Sequence, residues 1–304
     1  MGNKKRVIAL GFFDGIHVGH QALFSKTVER AKELEAIPSV ISFDTHPDTM
    51  VFGKKVDLIN TSKDRVDIIK RIFDIDDTIF LHFDEYLMKM EWKDFIQWLV
   101  DWFHAVHFVA GYDFTFGYKG EGNIERLQER CKELGLGCDI IQKVEMDGFT
   151  VSSTLIRQLL KEGKMEEVNR YLGHPHTFTD TVRDGYKIGR TIGVPTINMR
   201  FADGMVDMAH GVYAAKAYLE DGRVYTAVTN VGVKPTVRGN DTVSVESHLL
   251  DYSGYIYGKK VRLEFFSFIR PEVKFDSLAE LQNQIADDVQ KVRTYFENQE
   301  NTEK

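Results

Sequence analysis

The apolar run Val7-Ile8-Ala9-Leu10 passes directly into Gly11-Phe-Phe-Asp-Gly-Ile-His-Val-Gly-His20, and no other stretch restricts the fold as much. Four consecutive apolar residues suit a strand covered on both faces, as in a parallel sheet. Gly11 and Gly15 permit a tight turn, and residues 18–34 have helical character, so strand, turn and helix follow in the order a nucleotide site uses. His17 and His20 stand three apart, which at a helix start puts them on one face beside unpaired amide N–H groups. Those amides and the helix dipole favour anions, and two imidazoles there can hydrogen-bond phosphates and offset the charge that builds as a phosphate group leaves. Gly19 keeps a side chain out of the turn between them. A His-x-x-His pair alone is an ordinary helix feature; the strand and glycines give it weight.

Length and composition set the outer limits. The 304 residues, 43% hydrophobic and 28% charged, suffice for two domains with real cores. A net charge of −7 with no basic block argues against a nucleic-acid partner. No stretch approaches the ~20 apolar residues of a membrane span. Met1-Gly-Asn-Lys-Lys-Arg6 has no apolar signal region, and Arg6 stands where myristoylation needs Ser or Thr. Cys131 and Cys138 have neither metal spacing nor a disulfide framework, which fits buried thiols in a reducing cytoplasm.

Strand-like segments at 38–43, 78–81, 107–110 and 138–142 alternate with helical patterns at 62–73, 92–103 and 124–134. That alternation predicts a doubly wound parallel sheet with ligands at the strand carboxyl ends. Trp92, Phe95, Ile96, Leu99 and Phe103 share one helix face and read as core. From about residue 175 the pattern changes. Segments 212–218, 224–229, 243–249 and 261–266 alternate as half-buried strands, with a hairpin signal at Asp221-Gly222. This half reads as a closed antiparallel barrel or a sandwich. Ser277 can cap a last helix ending near Phe296, with residues 297–304 frayed. The domains are expected at 1–175 and 180–304.

Three more constellations lie in the first half. Gly111-Tyr-Asp-Phe-Thr-Phe-Gly117 is a loop that can either hold a flat ligand or simply turn the chain. Ser152, Ser153 and Thr154 open a helix with Arg157 one turn on, which makes a phosphate cradle or an ordinary cap. His46, between Thr45 and Pro47, is either a ligand at the same sheet edge or a surface histidine. Together with H-x-G-H, these segments resemble the FMN adenylyltransferase module of prokaryotic FAD synthetases. The resemblance implies that His17, His20 and Arg157 are catalytic. It also implies ATP binding by Gly11, Phe13, Asp14, Gly19, Ser153 and Thr154, and flavin binding by His46, Asp113 and Phe114. One departure is Thr45, where that family usually has Pro.

In the second half, Gly185, Gly189 and Gly193 punctuate a loop ending in Pro195-Thr-Ile-Asn198, where Thr196 and Asn198 offer neutral oxygens suited to magnesium. A glycine-rich turn with a buried Asn is the plainer reading. Glu246 lies on a strand, either as a base for a hydroxyl proton or as one arm of an edge salt bridge. With Thr229-Asn-Val-Gly-Val-Lys-Pro-Thr236 and Phe268-Ile-Arg-Pro-Glu272, these segments strongly resemble riboflavin kinase. That resemblance implies ATP binding by Gly185, Gly189 and Pro195, Mg2+ on Thr196 and Asn198, Glu246 as the base and Arg270 on the flavin side.

In order, the two likenesses resemble the bifunctional bacterial riboflavin kinase/FAD synthetase family. They imply an α/β chain: a Rossmann-like nucleotidyltransferase domain with a parallel sheet, then an antiparallel β-barrel kinase domain with a C-terminal helix. The implied substrates are riboflavin, FMN and ATP with Mg2+, in the cytoplasm; self-association is left open. Two alternatives stand beside this reading. A nucleotidyltransferase for another phosphate ester would be indifferent to riboflavin, and a flavin sensor would bind flavin without turning over ATP.

Overall fold

The short apolar strands of the first half do form a parallel sheet. The computed structural model describes residues 4–184, 193–234 and 242–302. In chain order the first elements are β1 (Arg6–Leu10), α1 (Val18–Glu33), β2 (Ile37–Phe43), α2 (Pro47–Phe52), α3 (Ser62–Phe73) and β3 (Asp77–Leu81). Then come α4 (Glu85–Met88), α5 (Trp92–Phe103), β4 (Ala105–Gly111), α6 (Ile124–Glu133), β5 (Gly137–Ile141) and the hairpin β6 (Glu145–Met146) with β7 (Phe149–Thr150). The sheet order is β3-β2-β1-β4-β5, with every neighbouring pair parallel. The chain winds outward from β1 on one side and then, from β4, on the other. A crevice must therefore open beyond the carboxyl ends of β1 and β4.

All five residues of β1 are buried, and the strand's two-residue period divides them between two cores. Val7 and Ala9 pack with Phe24, Val40 and Ile68 on one face. Ile8 and Leu10 pack with Ile41, Leu99 and Phe108 on the other. Each such side chain contributes about 1.5–3 kcal/mol by leaving water. Cys131 is buried among them, whereas Cys138 is half-buried rather than enclosed as expected; both are free thiols.

The second half begins with α7 (Ser153–Glu162) and α8 (Met165–Leu172), followed by β8 (His176–Thr181), β9 (Ile197–Arg200), β10 (Gly211–Leu219), β11 (Val224–Lys234), β12 (Thr242–Leu249), β13 (Lys260–Pro271) and α9 (Leu278–Thr302). The six strands run β8-β13-β10-β11-β12-β9, all antiparallel. The two edges meet where the Arg183 N–H donates to the Asn198 carbonyl at 2.8 Å, so the sheet curls into a barrel, which hides its edges. Tyr213, Ala215 and Ala217 of β10 face one way; Val212 and Ala214 face the other, where Val292 and Phe296 of α9 cover them. Ser277 Oγ accepts the Glu280 N–H at 3.2 Å, as a cap should. The helix then runs on to Thr302, past the expected end at 296: Phe296 anchors it, and each further residue adds a hydrogen bond at little cost. No described helix is long and apolar enough to cross a membrane.

The chain divides into two compact units, Met1–Ser153 and Thr154–Lys304. The second unit includes α8, a helix the sequence pattern did not announce. Asn169 on that helix donates to the Phe265 carbonyl and accepts the His176 N–H, both at 2.8 Å, tying α8 to the barrel.

His176 is 1% exposed and lies 5.8 Å from the Phe265 ring; burial, aided by His174, pushes its pKa down to about 3. The unfolded chain takes up this proton near the ordinary histidine value, about 6.5, and the folded chain does not. The barrel should therefore lose stability as pH falls below about 6.5. Thermal unfolding of wild type and His176→Gln from pH 7.5 to 5 checks this. Wild type should lose about 2 kcal/mol relative to the variant by pH 5. A pH-independent gap would refute it.

Two candidate active sites

The crevice at β1 and β4 is a cleft of about 510 Å³. Phe13, at φ 57°, turns the chain into a short 3-10 segment, and its ring folds back so closely that a Cβ on Gly11 would lie 2.7 Å from it. Only glycine fits there. His17 then caps α1: its Nδ1 accepts the His20 N–H at 3.3 Å, and the two imidazoles stack with centroids 3.6 Å apart. His20 Nδ1 is buried and has no hydrogen-bond partner among the described residues. Burial first, then the neighbouring His17 and Arg65, holds the His20 imidazole well below its ordinary pKa. A neutral His20 beside free helix amides can present an N–H to an anion.

Gly11, Phe13, His17, Gly19 and His20 all line this cleft, and so do His46, Asp113, Phe114 and Ser153. Asp14 does not. Its carboxylate accepts the N–H groups of Ile59 at 2.9 Å and Asn60 at 3.2 Å, pinning the segment ahead of α3. Ser153 Oγ, at the end of the first unit, donates to the Asp14 carbonyl at 2.8 Å. Thr154 and Arg157 follow on α7 but fall in the second unit.

His46 caps α2 with Pro47 as the first helical residue, and its ring meets the Phe12 ring edge-on at 4.5 Å. A second cavity, of about 470 Å³, shares Phe43, Pro47, Asp48, Phe114 and Thr115 with the first. Phe83, Phe95 and Phe116 add apolar wall, with Phe114 and Phe116 stacked at 5.5 Å. Groups able to hydrogen-bond a phosphate thus adjoin an apolar annex that suits a flat ring. Sequence reasoning missed Arg65, which lies fully buried beneath this floor. Its one signal was a charge in the apolar helical stripe with Ile68 and Ile69.

The barrel holds the second constellation. Strand register sets Asn198 opposite Glu246, Glu246 opposite Asn230, Asn230 opposite Val212 and Val212 opposite Arg270. Directly opposed residues share a face, so one transverse row crosses five strands with Glu246 between two amides. Thr196, Asn230, Glu246, His248 and Arg270 line a cavity of about 310 Å³; Asn198 stands in the row but not in that lining. Ile197 and Met199 point the other way and are buried. Pro195 is held because its carbonyl accepts from His248 Nδ1 at 2.8 Å. Gly185 and Gly189 lie outside the described residues.

Arg270 is clamped by Asp288 of α9 through bonds of 2.9 and 2.7 Å. Asn230 Nδ2 donates to Glu272 Oε1 at 3.1 Å, and a Cβ on Gly232 would collide with that carboxylate. His248, Glu272 and Asp288 were not singled out from sequence, although β-strand parity with Glu246 points to His248. No group of three or more His, Cys, Asp or Glu side chains among the described residues is placed to hold a metal. The hydroxyl of Thr196 and amide of Asn198 beside one carboxylate fit a hard cation that arrives already bound to phosphates.

A family model described as FAD synthetase matches residues 1–155, and one described as riboflavin kinase matches 172–296. The bifunctional riboflavin kinase/FMN adenylyltransferase of Bacillus subtilis (strain 168) is 34% identical over 298 residues, 97% of this chain and 93% of that protein. Its counterpart in Listeria monocytogenes is 32% identical over 293 residues, 96% and 92% of the two chains. A crystal structure from Streptococcus pneumoniae, described as a macrolide-efflux protein, matches with TM-score 0.84 at 28% identity, covering 96% of this chain and 95% of that one.

Asp288 is 1% exposed, and removing it leaves the Arg270 cation without its partner. Asp288→Ala should lower the unfolding free energy of the barrel by about 3 kcal/mol, measured by urea denaturation. A change below about 1 kcal/mol would mean that α9 is not held by this pair.

Proposed function

The chain belongs to the bifunctional riboflavin kinase/FMN adenylyltransferase family, and we propose that the cleft at β1 and the transverse row of the barrel are its two active sites. The FAD synthetase domain is N-terminal and the flavokinase domain C-terminal. ATP is co-substrate for both steps. We assign the adenylyltransferase module to 1–175 and the kinase module to 180–304. The observation that supports this division is that the stacked His17–His20 pair and the Glu246 row fall in different compact units.

In the barrel, Glu246 accepts the proton of the riboflavin 5′-hydroxyl as its oxygen attacks the γ-phosphorus of ATP, and ADP leaves. Thr196 and Asn198 would hold Mg2+, which when bound would neutralise phosphate charge. Arg270, fixed by Asp288, faces the flavin side. In the first unit, a phosphate oxygen of FMN attacks the α-phosphorus of ATP. That P–O bond forms as the α–β bridge breaks, and pyrophosphate departs without any covalent enzyme intermediate. His17 and His20 donate N–H groups to the phosphates beside Ser153, and the sequence resemblance assigns Thr154 and Arg157 to ATP as well. Gly11, Phe13 and Gly19 shape the backbone there, while Asp14 braces the turn from behind. The flavin ring lies toward Phe114, Asp113 and His46. Pro195 borders the kinase nucleotide, and the sequence resemblance assigns Gly185 and Gly189 to ATP as well. The compartment assigned is the cytoplasm, and neither step as written needs a second copy of the chain.

Chromatography of products from riboflavin or FMN with ATP and magnesium tests the division. Glu246→Gln should reduce riboflavin phosphorylation about 10²-fold or more and spare FMN adenylylation. His20→Ala should do the reverse, by about 10²-fold. Loss of both activities in either variant would overturn the two-site assignment.

A further inference from the structure

Arg65 has the largest fully buried side chain among the described residues, and nothing assigned so far uses it. A buried cation is costly unless its donors are satisfied. Arg65 has no carboxylate within ion-pair distance among the described residues. Its partners are neutral oxygens: one Nη donates to the Phe12 carbonyl and to Ser42 Oγ at 3.0 Å, the other to the Phe43 carbonyl at 3.3 Å and Ser62 Oγ at 3.2 Å. The guanidinium lies between the Phe12 ring at 4.6 Å and the Phe80 ring at 4.7 Å. Burial lowers its pKa to about 10, against the opposing pull of Asp14 and Asp44, so it stays charged at neutral pH.

What it holds matters more than what it costs. Phe12 lies two residues past the end of β1, and Phe43 is the last residue of β2. Phe12 lines the larger cleft and Phe43 lines both cavities. The Phe12 ring also meets the His46 ring, with centroids 4.5 Å apart. Ser42 Oγ also bonds the Phe12 carbonyl, at 2.7 Å. We propose that Arg65 is a positioning residue for FMN: its guanidinium fixes the carboxyl ends of β1 and β2 and, through the Phe12 ring, sets His46 against the flavin. This rests on the assignment of the cleft to FMN and ATP. Only a planar fork with two faces can serve four oxygens and two rings together; an ammonium keeps the charge but not that geometry.

The test uses the full chain, with riboflavin phosphorylation in the same preparation as the folding control. Arg65→Lys should raise the KM for FMN about 10-fold, with the KM for ATP within about 2-fold and kinase activity unchanged. Phe12→Leu should give the same split, and the double variant should be no worse than the worse single, as expected for residues acting in series. An unchanged FMN KM in Arg65→Lys, equal rises for both substrates, or additive effects in the double variant would overturn the proposal. Should Arg65→Lys fail to fold, Phe12→Leu still decides. If His20→Ala spares adenylylation, the cleft assignment itself fails; if it abolishes adenylylation while Arg65→Lys behaves as wild type, only the role of Arg65 falls.

Discussion

The first unit depends on one five-residue strand that has no face and no edge left for solvent. Because Arg6–Leu10 is paired on both sides and packed above and below, the only direction in which its end can open is along the strand axis. Each turn, cap and brace of the cleft is anchored to that end. Phe13 and Gly11 reverse the chain there, Asp14 ties the turn to residues 59 and 60, and Ser42 and Arg65 hold the Phe12 carbonyl. The groups of the cleft are thus set at a point braced on every side.

The barrel reaches the same result by register. Antiparallel pairing sets Asn198, Glu246 and Asn230 level with one another across neighbouring strands, so a slip of one residue would turn the carboxylate to the opposite face. The buried partners Ile197, Met199, Val231 and Val245 resist that slip, since each would have to leave the core. Specificity of side-chain placement is therefore inherited from hydrophobic burial rather than from contacts among the polar groups.

What could be read from sequence was what is local. The first strand, the paired histidines of one helix turn and the alternation around Glu246 are short-range patterns, and the helix bounds at 62–73 and 92–103 match. Less legible were α2 and α4, only six and four residues long, and α8, whose apolar face of Met165, Val168, Tyr171 and Leu172 spans barely two turns. Long-range partnerships were out of reach. Nothing near Asp14 says that its carboxylate meets amides 45 residues away, and nothing near Arg270 names Asp288 rather than a ligand. Arg65 was passed over because a helical stripe is read by its apolar members, and a charge within it looks like an exception rather than a pillar.

The stacked imidazoles carry one more consequence. The rings lie 3.6 Å apart, and burial, then His17 and then Arg65 hold the His20 imidazole below its ordinary pKa. A polyanion entering between them and the helix amides acts in the opposite sense, since its charge favours the protonated imidazole. In the proposed nucleotide cleft, arriving negative charge therefore works against the burial that keeps His20 neutral.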